Sequence, residues 1–196
     1  QGPGQQTKKV KSEATNAKNL DRVGDVKIVI DGGTLTVDAE GDGLDANGSI
    51  EINGGTIVVN GPTSGANAAL DYDDNGILNG GTVLFVDNGQ MTMGFGSDSN
   101  QAYLMASIQG TADATVEVVD SSGKTVASLK ASKSFSTVLI SSPEIKDGEK
   151  YTIKVGSNTT TATASKEAAN LGGGPGQGGP GGGQPGQGDP GGRQGR

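Results

Sequence analysis

Apolar and polar residues alternate in short runs through the first half of the chain, and the runs come in pairs. Ile28 and Ile30 point one way; after Asp31-Gly32-Gly33, Leu35 and Val37 do the same, with the intervening residues on the opposite side. The phrase returns as Ile50-Glu51-Ile52-Asn53-Gly54-Gly55-Thr56-Ile57-Val58-Val59 and as Gly76-Ile77-Leu78-Asn79-Gly80-Gly81-Thr82-Val83-Leu84-Phe85. Its Gly-Gly pairs lie 22 and then 26 residues apart. Each Asx-Gly-Gly step lets the chain bend through positive φ at little steric cost. Strand-sized pieces repeating at this period predict coils stacked into a parallel β-helix.

The register between coils is readable as well. Leu44-Asp45 precedes Ile50, and Leu70-Asp71 precedes Gly76, by the same six residues counted from the leucine. The longer second period therefore sits in the loop from Asn60 to Asn67. This register predicts inward Ile, Leu and Val columns, an outer Thr34, Thr56 and Thr82 ladder, and Asp45 beside Asp71. A stack of three coils exposes unpaired backbone at both ends, so something must cover them.

Beyond residue 100 the pattern changes. Ala102–Ile108, Thr115–Val119, Thr125–Leu129, Ser134–Ile140 and Tyr151–Val155 alternate as strands, separated by turns at Asp120-Ser121-Ser122-Gly123-Lys124, Ser141-Ser142-Pro143 and Asp147-Gly148. They predict an antiparallel meander that caps the helix. The expected organisation is thus a linker over 1–22, all-β parallel helix coils over 23–100, an antiparallel β cap over 101–156, and a disordered tail over 157–196. In the tail, prolines fall at 175, 180, 185 and 190 in a Gly/Gln background, which is not a collagen period.

Composition supports a thin, backbone-dominated fold. Only 31% of residues are hydrophobic and 3% aromatic, against 36 glycines, too little apolar material for a thick core over the whole length. The net charge of −7 is concentrated in the repeats: residues 20–90 carry twelve acids against Arg22 and Lys27. That excess argues against nucleic acid, whose phosphates need clustered Lys and Arg. There is no Cys or His, which removes thiolate chemistry and the commonest general base. No apolar run is long enough to span a membrane. The opening Gln1-Gly2-Pro3-Gly4 reads as the interior of a longer protein.

Candidate chemistry gathers in the second loop of each coil. Asp42-Gly43-Leu44-Asp45-Ala46-Asn47-Gly48 and Asp71-Tyr72-Asp73-Asp74-Asn75-Gly76 occupy equivalent points of successive coils. Close carboxylates repel unless a cation lies between them, and carboxylate, amide and carbonyl oxygens are what Ca²⁺ coordinates. The candidate metal ligands are Glu40, Asp42, Asp45, Asn47, Asp71 and Asp73; Tyr72 and Asp74 are the candidates for touching a sugar. The second segment opens like an EF-hand loop but has Thr82 at the twelfth position, so that reading is rejected. Two plainer readings stand beside these: Asp and Asn simply fill turns, and Tyr72 is an ordinary half-buried tyrosine. Catalysis lacks its parts, since Arg22 and Lys27 are the only bases in the repeats and no specific acid pair stands out for glycoside hydrolysis.

Taken together, the Gly-Gly-Thr phrases, Glu40-Gly41-Asp42-Gly43-Leu44-Asp45-Ala46-Asn47-Gly48, Val59-Asn60-Gly61-Pro62-Thr63, Ala69-Leu70-Asp71-Tyr72-Asp73 and Ser141-Ser142-Pro143 give the chain a family resemblance. Over roughly residues 23–156 it resembles clostridial cell-surface "carbohydrate-binding domain-containing" proteins. The resemblance implies a right-handed parallel β-helix with bound calcium and a pectate-lyase-like shape. It also implies binding of acidic plant polysaccharide such as polygalacturonate, with cellulose as a further ligand, and no cleavage. Such proteins have more N-terminal coils and an export signal, so this chain is expected to be a C-terminal portion. The resulting expectation is calcium-dependent, non-catalytic polysaccharide binding at the extracellular bacterial surface. The alternatives are a structural or adhesive stalk and, less favoured, a polysaccharide lyase or hydrolase. Oligomeric state is not readable.

Overall fold

The computed structural model describes residues 26–167 and the backbone of Asn170 and Leu171. The expected linker over 1–22 and the Gly/Pro-rich part of the expected tail lie outside the described residues.

The first repeat forms β1 (Lys27–Ile30), β2 (Thr34–Asp38) and β3 (Leu44–Ala46). The second forms β4 (Ser49–Ile52), β5 (Thr56–Asn60) and β6 (Leu70–Tyr72), and the third β7 (Gly76–Leu78), β8 (Thr82–Asp87) and the two-residue β9 (Thr92–Met93). β1, β4 and β7 pair in parallel and without slippage, as do β2, β5 and β8, and β3 with β6; β9 pairs antiparallel with the late strand Asn170–Leu171 instead. Ile28 faces Ile50, which faces Gly76. Leu35, Ile57 and Val83 form one row, and Val37, Val59 and Phe85 another. Leu44 pairs with Leu70 and Asp45 with Asp71. These inward side chains make one core, closed by Phe95 and Tyr103. The rings of Phe85, Phe95 and Tyr103 meet edge to face, with centroids 5.8 and 5.9 Å apart.

The Asx-Gly-Gly turns stack as tightly as the strands. Asn53 donates its side-chain amide to Asp31 Oδ1 at 2.8 Å, Asn79 to Asn53 Oδ1 at 2.8 Å, and Asn100 to Asn79 Oδ1 at 2.9 Å. Gly55 and Gly81 sit at φ 96° and 95°. A Cβ on Gly81 would stand 2.9 Å from the Gly55 carbonyl oxygen, so this position needs glycine for space as well as for φ. The fourth rung of the ladder comes from outside the repeats. Gly96, Ser99 and Gln101 pair with Gly76 O, Leu78 N–H and Leu78 O, and the Gln101 side chain donates to Gly81 O. This segment closes the backbone that the third repeat would otherwise leave open.

The C-terminal strands are β10 (Leu104–Gly110), β11 (Thr115–Val119), β12 (Thr125–Lys130), β13 (Phe135–Ser141), β14 (Lys150–Val155), β15 (Asn158–Thr163) and β16 (Asn170–Leu171). They do not make one meander. β13 pairs antiparallel with β8, and β10 with β13, so the sheet is mixed and runs β10-β13-β8-β5-β2. β11, β12, β14 and β15 form a second, wholly antiparallel sheet of order β12-β11-β14-β15.

The expected single right-handed parallel β-helix with a separate cap is therefore corrected. Among the described residues the chain is all-β but builds several separate sheets, parallel, mixed and antiparallel, with no closed barrel. The reason lies in β8 and β13. Both are apolar on both faces: all residues of Val83–Asp87 and of Thr137–Ser141 are buried. Such strands cannot lie at a solvated edge. The expected tail also begins too early in the sequence reading, because β15 continues the antiparallel sheet beyond residue 156. The outer face of the mixed sheet, with Leu84, Val86, Leu104, Val138 and Ile140, packs with Val116, Val118, Tyr151 and Ile153 of the antiparallel sheet into a second core.

The turns give a graded stability test. Gly123 has φ 87° but open space around it, so Gly123→Ala is expected to cost about 1 kcal/mol from backbone strain alone. Gly81→Ala adds a backbone clash and is expected to cost about 2–3 kcal/mol. Denaturant unfolding of both variants checks the order; equal losses would show that turn stacking is not tight.

Candidate functional site

The loop that follows each second strand carries the acids, and the parallel register decides which of them meet. β3 and β6 are three-residue strands whose leucines anchor inward, Leu44 at 8% and Leu70 at 1% exposure. Strand alternation then turns Asp45 and Asp71 to the other side. Asp45 is exposed, Asp71 half-buried, and they are direct lateral partners.

Asp42 and Asp73 complete the group. Asp42 Oδ1 accepts the Ala68 N–H at 2.8 Å, which ties the first loop to the longer second one. The Asp73 N–H donates to the Ala46 carbonyl at 3.1 Å, holding the exposed Asp73 at the end of β6. The consequence appears at Asp71, whose carboxyl is pushed above its ordinary pKa. Burial is the main cause, and the charges of Asp42, Asp45 and Asp73 add to it. Of the six candidate metal ligands, these four are brought together. None of the four forms an ion pair with Lys or Arg among the described residues. Their carboxylates do not converge on one point either: no group of three or more acids close enough to hold a metal occurs among the described residues.

The remaining candidates lie apart. Glu40 is 89% exposed and pairs at 3.1 Å with Lys133, which also donates to the Ala39 carbonyl at 2.6 Å. That contact joins the first repeat to the β12–β13 connection, 93 residues away. Asn47 is exposed beyond β3. Asp74 is exposed, accepts the Ser49 hydroxyl at 3.0 Å, and donates its N–H to the Gly48 carbonyl.

For Tyr72 the plainer of the two sequence readings holds, a half-buried tyrosine rather than an outer sugar platform. It is half-buried against the repeat core, and its hydroxyl donates to the Gly94 carbonyl at 2.6 Å. A Cβ on Gly76 would meet the Tyr72 ring at 2.3 Å. The ring thus fills the place that Ile28 and Ile50 occupy in the other repeats, which explains the glycine in the third. Burial raises its phenol pKa.

Two residues of the region carry roles that sequence reasoning missed. Asp87, 2% exposed, accepts the Ala69 N–H at 3.1 Å, the Gly89 N–H at 2.9 Å and the Thr92 hydroxyl, pinning the second loop to the end of β8. Its signal was an acid ending an otherwise apolar strand. Lys133 had none, because its partner is distant in sequence.

A family model described as carbohydrate-binding domain-containing protein matches residues 4–176. No curated protein and no solved structure matches the chain.

The Asp71 environment generates a pH test. A carboxyl whose folded pKa is raised binds more protons in the folded state, so its ionisation destabilises the fold as pH rises above the ordinary Asp range, about 3.9. In EDTA at neutral pH, Asp71→Asn is expected to unfold at a higher temperature than the wild type. That advantage should shrink as pH falls through the ordinary Asp range, and in high salt, which screens partly exposed charges. Thermal scans from pH 3 to 8 check it; a destabilised Asp71→Asn at pH 7 would show that the carboxylate is held by attraction.

Proposed function

The chain belongs to the carbohydrate-binding domain-containing protein family, and from that membership we propose that it binds polysaccharide without cleaving it, through a calcium ion shared between its acids and an acidic glycan. The observation that carries the calcium part is the lateral pairing of Asp45 with Asp71, with Asp71 half-buried, repelled by the charges of Asp42 and Asp73, and matched by no cationic side chain among the described residues. A divalent cation is what relieves such a site.

The donor set fits Ca²⁺ in kind, since carboxylates are hard oxygen ligands. It falls short in number. With no three acids converging among the described residues, one or two of Asp42, Asp45, Asp71 and Asp73 would hold the ion at once. Ca²⁺ takes six to eight oxygens. Water and the uronate carboxylates of a polygalacturonate chain would supply the rest, so protein and glycan complete the coordination together. This incompleteness favours an acidic polysaccharide over a neutral one at these loops. Asp74 and Asn47, both exposed, would accept and donate hydrogen bonds to sugar hydroxyls. Glu40, held by Lys133, is not part of the set. A setting at the extracellular bacterial surface rests on the family resemblance alone.

Affinity electrophoresis through polygalacturonate tests the reading. Retardation of the wild type in calcium should disappear in EDTA, and Asp45→Asn/Asp71→Asn should weaken it by about tenfold or more, the loss of roughly 1.4 kcal/mol of charge-assisted binding. Calcium at a hundred times its Kd should stabilise the wild type by about 2.7 kcal/mol and leave the double variant nearly unmoved. A glycan array silent with and without calcium would instead favour the structural stalk. New unsaturated or reducing ends from pectate would establish a lyase or hydrolase.

A further inference from the structure

A groove of about 830 Å³ lies at the end of the mixed sheet, where β8, β10 and β13 meet the start of β15. That size is in the range of small-molecule sites. Its floor is β10 and β13, one wall is the turn after β8 at Asn88 and Gly89, and the other is the β14–β15 turn at Ser157–Thr160. Its lining contains no charged side chain and no aromatic ring; apart from Gly89 and Ile108 it consists of Ser, Thr, Asn and Gln. A charge-free recess is unusual in a chain with 19% charged residues.

The groove is built rather than incidental. Between Ser107↔Thr137 and Gly110↔Phe135 two residues of β10 oppose one of β13, so the ladder bulges at Ile108 and Gln109. A bulge of this kind frees ladder groups and re-aims side chains. Asn158 donates to the freed Gln109 carbonyl at 2.9 Å and so fixes the β14–β15 turn as a wall. On the other wall, Gly89 at φ 79° packs directly on the Thr137 hydroxyl; a Cβ there would come within 2.5 Å of its oxygen. The side chains of Ser107, Gln109, Ser136, Thr159 and Thr160 make no hydrogen bond to any described residue, and those of Ser107, Gln109 and Thr159 are exposed.

Hydroxyls and primary amides both donate and accept, as the hydroxyls of a sugar do. An anionic ligand would find no cation here, and the net charge of −7 would repel it. A peptide would find no deep apolar pocket. We propose that this groove is a second carbohydrate site, selective for a neutral saccharide and independent of any cation. The proposal rests on the family-level reading of carbohydrate binding, but not on the acid-lined site. Without a stacking ring its affinity comes from hydrogen bonds alone, so multivalent polymer is the sensitive probe.

The test is affinity electrophoresis of the same chain through hydroxyethylcellulose, galactomannan and arabinoxylan, in EDTA throughout, followed by cellohexaose or the matching neutral oligosaccharide in an NMR titration. Retardation is expected in at least one neutral polymer and should persist in Asp45→Asn/Asp71→Asn. It should fall by about tenfold in Gln109→Ala/Thr159→Ala, two neutral hydrogen bonds removed. Ser107→Tyr, which fills the floor, should abolish it. Circular dichroism establishes that each variant is folded. If a variant fails to fold, amide shifts decide: perturbation centred on Ser107, Gln109, Ser136 and Thr160 supports the site, and perturbation elsewhere overturns it. No retardation in any neutral polymer, or retardation lost with the acid variant, also overturns it, while calcium-dependent binding of polygalacturonate could still stand.

Discussion

The five-stranded mixed sheet is the element on which the rest depends, because its strands β8 and β13 are buried on both faces. Inward it supplies Ile57, Val59, Val83, Phe85 and Leu139 to the repeat core; outward it supplies Leu84, Val86, Val138 and Ile140 to the second core. β8 is the hinge of this arrangement in the structural sense, parallel to β5 on one edge and antiparallel to β13 on the other. Removing it from either neighbour would expose apolar rows on both sides at once, at roughly 25 cal/mol per Å². Two thin layers, neither with enough apolar material of its own, are stable because they share one sheet.

That shared sheet also fixes the geometry of the loops. Asp38 and Asn60, at the ends of β2 and β5, accept from Ser132 Oγ at 2.6 Å and Ser132 N–H at 2.8 Å, and Lys133 reaches Glu40 and Ala39 O. The C-terminal half thus clamps the point where the chain leaves the sheet for the acid loops. Asp87 does the same from the third repeat by holding Ala69. The Asp45–Asp71 rung is positioned from both ends by contacts that involve none of its own carboxylate oxygens.

How much of this was legible in the sequence depended on whether the determinant was local. The pairing of Leu44 with Leu70 and of Asp45 with Asp71 follows from a fixed six-residue spacing, and the turn stack from Asx-Gly-Gly. The sheet's change of direction at β8 was not local. Val83-Leu84-Phe85-Val86 signals burial on two faces, but nothing in it says whether the next strand arrives parallel from a fourth coil or antiparallel from residue 135 onward. The same blindness hid Lys133 from Glu40 and the Ser99-Asn100-Gln101 rung from the ladder, since neither repeats a phrase. That Tyr72 is half-buried was legible, but its partner was not: its ring answers the missing side chain at Gly76, a compensation visible only once both are packed together.

Two readings of the loop acids, turn filler and charge site, can be separated by what surrounds each carboxylate. Asp120 is a turn filler. Its Oδ1 accepts the Ser122 hydroxyl and the N–H groups of Ser122 and Lys124, and these bonds hold its pKa below the ordinary value. An acid used for turn chemistry is therefore more comfortable ionised in the fold than outside it. Asp71 is the reverse case. It lies in a strand, is partly desolvated, and feels the charges of Asp42, Asp45 and Asp73, so its charged form is disfavoured by folding. A turn does not need that arrangement, and the fold would be more stable at neutral pH without it. Strain of this sign is what a site carries when the compensating charge arrives with a ligand. Asp71, rather than the number of acids in the loops, is thus the reason to treat the region as functional.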